Sequence, residues 1–132
     1  MFRWVEHTGE LELDVEAESE EGVLAEAASA LAEILSDSTE GKGERLRQTV
    51  VVEAPDPAAL LAAWLEELVF LSETQGFVPE RLVELELDDG ALSAVVEGRR
   101  GEPRTLVKAV TFHRLRLARE GVRWYGRVVF DV

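Results

Sequence analysis

Twice along this chain the apolar residues change from every second position to every third or fourth. Leu11, Leu13 and Val15 alternate with Glu10, Glu12, Asp14 and Glu16, which predicts a strand with one buried and one solvated face. From Ser19 the spacing becomes helical, through Val23, Leu24, Ala27, Ala28, Leu31, Ile34 and Leu35. Ser19 suits an N-cap, and Glu20 and Glu21 sit in a first turn where the helix dipole favours acids. The stretch Ser36 to Gly43 reads as a loop by composition. Leu46 to Glu53 is strand-like. Asp56-Pro57 then opens a second helix, as N-cap and first helical residue, with Leu60, Leu61, Trp64, Leu65, Leu68 and Leu71 on its apolar face up to about Gly76.

The remainder is strand-like. Val83, Leu85 and Leu87 alternate with acids up to an Asp89-Gly90 turn, and Leu92, Ala94 and Val96 return as a hairpin. Gly98 to Arg104 reads as a loop. Leu106 to Arg119 and Val122 to Phe130 flank a turn at Glu120-Gly121. The expectation is an α+β fold over residues 1–132, one domain, with a mixed or antiparallel sheet of five to six strands. Both helices are expected on one face of that sheet. A length of 132 residues with 46% apolar content suits one core. There is neither an internal repeat nor a low-complexity segment.

Charge narrows the partners. The net charge is −13, with 24 acids against 5 Lys/Arg in residues 1–97 and 9 Lys/Arg against 3 acids in residues 98–132. Acidic chains bind nucleic acid poorly, because phosphate neutralisation drives that affinity, so direct tRNA binding is expected to be weak. The arginines of the final third are expected to pair with the acids of the first part; contact with a nucleic acid or acidic protein is the other reading. The residues Met1 to Val5 show no signal-peptide pattern and no apolar run could span a bilayer, so a soluble, cytoplasmic protein without membrane contact is expected.

The chemistry available is limited. Cysteine is absent, histidine is confined to His7 and His113, and neither a Gly-x-Ser-x-Gly elbow nor a Walker phosphate loop occurs; Glu40-Gly41-Lys42-Gly43-Glu44 has the wrong spacing. Carboxylates are the better lead. Glu10 opens one strand, Asp131 closes another, and Val132 adds a terminal carboxylate; if the two strands lie side by side, the three could hold a hard divalent cation. Acids on a strand face are more often simply solvated, which is the reading given to Glu12, Asp14 and Glu16. His7 is either a brace at the strand start or a second ligand or tuner of the metal. His113, sharing the parity of Leu115 and Leu117, is expected half-buried toward the core. Lys108 could meet phosphate or acids of a partner, or pair within the chain. Trp64 is expected in the core; Trp4 and Trp124 fit either the core or a partner interface.

Four blocks in order, and the terminal pair after them, resemble one known family. Glu6-His7-Thr8-Gly9-Glu10 is similar to the Asp/Glu-His-Thr-Ala-Asp opening of the archeases, and the first helix closes at a similar distance on Leu35-Ser36-Asp37. Asp56 through Leu71 resembles the family's second helix, Val107-Lys108-Ala109-Val110-Thr111-Phe112-His113 its Val-Lys-Ala-Ile/Val-Thr-Tyr-His block, and Asp131-Val132 its terminal Asp-Val/Ile. The resemblance implies an archease-like α+β fold and an accessory protein rather than an enzyme. Archeases assist the GTP-dependent RNA ligase that joins spliced tRNA halves, promoting guanylylation of its active-site histidine and multiple turnover. Some act as chaperones for a tRNA methyltransferase. The family's metal ligands map to Glu10, Asp131 and the end carboxylate of Val132, with His7, Lys108 and His113 as surrounding or partner-contacting residues. The implied cofactor is a divalent ion: calcium, magnesium or manganese. Gly9 and Glu10 depart from the family's alanine and aspartate. A metal-dependent hydrolase is the remaining alternative, and it has no nucleophile or positioned base in its favour.

Overall fold

In the computed structural model, which describes residues 1–36 and 43–132, the order is β1 (Phe2–His7), β2 (Glu10–Ala17), α1 (Glu20–Leu35), β3 (Arg45–Glu53), α2 (Pro57–Gln75), β4 (Phe77–Asp88), β5 (Ala91–Arg100), β6 (Ala109–Glu120) and β7 (Arg123–Asp131). The strands form two antiparallel sheets, ordered β1-β2-β7-β6 and β3-β5-β4. The α+β class and both helices are as the periodicity implies. The sheet differs: seven strands divide between two sheets, where five to six in one were expected. The additional strand is β1, whose short Phe2/Trp4 alternation lies within a mixed-charge opening. Most of the segment read as a loop at 36–43 lies outside the described residues, as does Asp37 of the family-like helix end.

Each helix touches both sheets, α1 against β2 and β4, α2 against β6 and β3. That is why one core joins Leu13, Val15, Val128 and Phe130 of the first sheet to Val50, Leu92, Ala94 and Val96 of the second. Trp64 is fully buried at the centre and donates its indole N–H to Leu24 O at 2.9 Å. Ser19 and Asp56 cap their helices as their positions suggest, accepting from Gly22 N–H and Ala59 N–H. Asp89 and Gly90 both take positive φ, the geometry of a tight hairpin turn. Trp4 and Trp124 are half-buried and pack on the core, Trp4 tilting against Phe130 with 5.7 Å between ring centres.

In the first sheet the parity of β2 and β7 is decisive. Leu11, Leu13 and Val15 lie opposite Phe130, Val128 and Gly126 on the helix-facing side, so Glu10, Glu12 and Asp14 lie opposite Asp131, Val129 and Arg127 on the other. The core pattern of two strands thus places two acids at one end of the outer face.

Candidate cation site at the joined chain ends

The β1–β2 hairpin turns at Thr8-Gly9, with Gly9 at φ +73°, a left-handed conformation that glycine adopts without steric cost. The register then aligns His7 with Glu10, Glu10 with Asp131, and Asp131 with Ala109, one row across all four strands. Asp131 O accepts from Lys108 N–H at 2.8 Å and Val132 N–H donates to Gly9 O at 3.2 Å. The final two residues are therefore tied to the head motif on one side and to the family-like Val107–His113 block on the other. Glu10, Asp131 and Val132 are all half-buried.

Directly opposed residues of an antiparallel pair hold their Cβ atoms about 5 Å apart, and like charges there repel. Among the described residues neither the Glu10 nor the Asp131 side chain has a cationic partner. Their neighbours on the same face all do. Asp14 binds Arg127 at 2.8 Å and Arg3 at 3.2 Å, and Glu16 binds Arg123 at 2.8 Å. Glu12 lies 2.8 Å from Arg114 Nη1 and 3.5 Å from both Arg127 Nε and His7 Nε2. The uncompensated pair offers only oxygen donors, a set that fits a hard divalent cation, and Ala109, opposite Asp131, adds no charge to it. Among the described residues no three His, Cys, Asp or Glu side chains group closely enough to hold a metal ion.

Two expectations about this face need correction. Glu12 and Asp14 do not form a solvated strand face: Glu12 is only 5% exposed beneath Arg114 and Arg127. Partial burial raises the Asp14 carboxyl's pKa, but hydrogen bonds, led by that from Arg127, outweigh it and hold the group below its ordinary range. The signal was the matching parity of Arg127 on β7, legible only once the register is known. His113 is exposed and not half-buried. The pairing of β6 with β7 breaks between Thr111 and Arg116, Arg114 takes φ +55°, and the parity that would have turned His113 inward is lost. That same bulge brings Arg114 over Glu12 and leaves Phe112 65% exposed. Lys108 is exposed. His7 Nε2 approaches Glu12 and neither Glu10 nor Asp131.

A profile of the Archease protein family matches residues 2–132. The chain is 33% identical to the protein archease of Methanopyrus kandleri over 97% of this chain and 96% of that one. It is 29% identical to the protein archease of Methanosarcina mazei over 99% and 95%. Among solved structures it is similar to that of a Methanobacterium thermoautotrophicum protein, at 27% identity, TM-score 0.71 and coverage of 99% and 98%. It also shares its fold with a Thermotoga maritima protein described as "an archease, possible chaperone", at 22% identity, TM-score 0.72 and coverage of 100% and 98%.

Proposed function

The chain belongs to the archease family, and from that premise we propose that it is a non-enzymatic accessory factor activating a GTP-dependent RNA ligase of tRNA splicing or RNA repair. The proposed action is to promote guanylylation and turnover of the ligase, through a divalent cation held at Glu10, Asp131 and a terminal carboxylate on Val132. The observation that carries this reading is the opposed Glu10–Asp131 pair, uncompensated by any basic side chain among the described residues. When bound, calcium, magnesium or manganese supplies positive charge that phosphate oxygens of a nucleotide can share. The chain's own part is to fix the two carboxylates. β2 and β7 hold them in register, the Val132–Gly9 bond seats the last residue, and the Glu12–Arg114–Arg127 cluster supports the strand beneath.

A second reading is a chaperone-like binding module for a tRNA methyltransferase or similar enzyme. It draws on the exposed Phe112 and Leu106, apolar residues flanking the Lys108–Asp131 contact. Single-turnover guanylylation of the cognate ligase separates the two. Asp131→Ala, Glu10→Ala and a C-terminally extended form should each lose stimulation, with circular dichroism unchanged and partial rescue at high metal. Full stimulation by all three rejects the site. Loss on Phe112→Ala with the carboxylate variants active favours the binding module.

A further inference from the structure

The outer face of the second sheet carries the opposite arrangement. Arg45 lies directly across from Arg99, and the next row is Arg47, Glu97 and Arg81. These residues, with Glu80, line a cleft of about 530 Å³. Two guanidiniums placed opposite one another repel as two carboxylates do. Arg99 approaches Glu80 at 3.4 Å and is anchored by donating to Gly43 O at 3.1 Å; its Nε is buried without a hydrogen-bond partner. Arg45 has no acidic partner among the described residues. Arg47, at 3.0 Å, and Arg81 both hold the single Glu97 carboxylate. Those two arginines keep the carboxyl of Glu97 below the usual range, so it stays ionised. Four guanidiniums against two carboxylates leave a local charge of +2 in a chain of −13.

We infer that this cleft binds a phosphoryl group, with Arg45 and Arg99 as its principal donors. Planar, forked guanidiniums suit phosphate oxygens, and a dianionic phosphomonoester matches the local charge. The other end of the same face is acidic, with Glu53, Glu84, Glu86 and Asp88 exposed. A long polyanion is repelled there, so the cleft favours one concentrated anionic group at the end of its ligand over an extended nucleic-acid backbone. This site is on the opposite sheet from the carboxylate pair and does not depend on the ligase reading.

The test is a titration followed by backbone amide NMR. The probes are inorganic phosphate, a nucleoside monophosphate, a 5′-phosphorylated RNA oligonucleotide and its unphosphorylated twin, with chloride at matched ionic strength. Saturable shifts confined to residues 45–47, 80–81 and 97–99 are expected with the phosphorylated probes and not with chloride. Tighter binding of the phosphorylated RNA than of the free phosphates identifies an RNA end as the source; the reverse identifies a free phosphate or nucleotide. Arg45→Ala, at an exposed position that leaves the core untouched, should weaken binding about tenfold, the loss of one charge-assisted contact. Arg99→Ala should do the same, and Arg45 keeps the test valid if Arg99 proves structural. Equal shifts with chloride, no preference for the phosphorylated RNA over its unphosphorylated twin, or unchanged affinity in Arg45→Ala would each overturn the assignment.

Discussion

Glu10 stands where the family's opening motif has aspartate, and its extra methylene carries the carboxylate further from β2. Gly9 beside it, at φ +73° with open space where a Cβ would stand, gives the hairpin a turn that alanine would enter only with backbone strain. Both departures were visible in the sequence. So were the acids at the two chain ends, because motif and terminus are read without knowing the register. The structure of their surroundings was not. Glu12 looks like any alternating acid until β7 is laid beside it and Arg127 and Arg114 close over it. Asp14 provides the test at this scale. Its carboxyl's pKa lies below its unfolded value, so its stabilising contribution is complete above the unfolded value and fades as pH falls through the lower folded one. Asp14→Asn should therefore cost about 1 kcal/mol near neutral pH. The gap should narrow as the pH is taken below about 4. Urea unfolding across that range measures it; a gap independent of pH contradicts the ion-pair account.

At the scale of elements, α1 and α2 were legible because their caps and apolar faces agree: Ser19 and Asp56 mark the starts and a run of leucines follows. The strands were legible wherever alternation was long. β1 was not, being short and mixed, and the β6 bulge was not, since nothing in Phe112-His113-Arg114-Leu115 announces an interruption. The split into two sheets follows from which strands pair, and alternation does not encode pairing. Gly126 shows what the packing demands. It lies on the helix-facing side of β7, where an added Cβ would come within 2.8 Å of Val23 and 3.3 Å of Leu61. Val23 belongs to α1 and Leu61 to α2, so both helices contribute to this crowding. Gly126→Ala should cost about 1–3 kcal/mol, as overpacking does. A denaturant midpoint equal to wild type shows that the helices sit less tightly on the first sheet than described.

Across the whole molecule, charge is organised by face. Most arginines are paired with acids from distant parts of the chain, such as Arg123 with Glu16 and Arg127 with Asp14, as the split in charge along the sequence suggests. No helix among the described residues is long and apolar enough to cross a membrane. Two opposed like-charge pairs stand out from this pattern: the Glu10–Asp131 carboxylates on one sheet, and on the other Arg45 and Arg99, of which Arg45 has no acidic partner among the described residues. The carboxylate pair is central to the account, and a cation that binds only the folded chain must stabilise it. Thermal unfolding is to be followed in chelator and then with calcium, magnesium or manganese added, for wild type, Glu10→Gln and Asp131→Asn. In chelator, each variant should be more stable than wild type by about 0.5 kcal/mol, through relief of the opposed charges. With cation at a hundredfold excess over its dissociation constant, wild type should gain about 2.7 kcal/mol and the variants little. An equal gain in all three proteins, or no gain by wild type with any of the three ions, would contradict a cation held between Glu10 and Asp131.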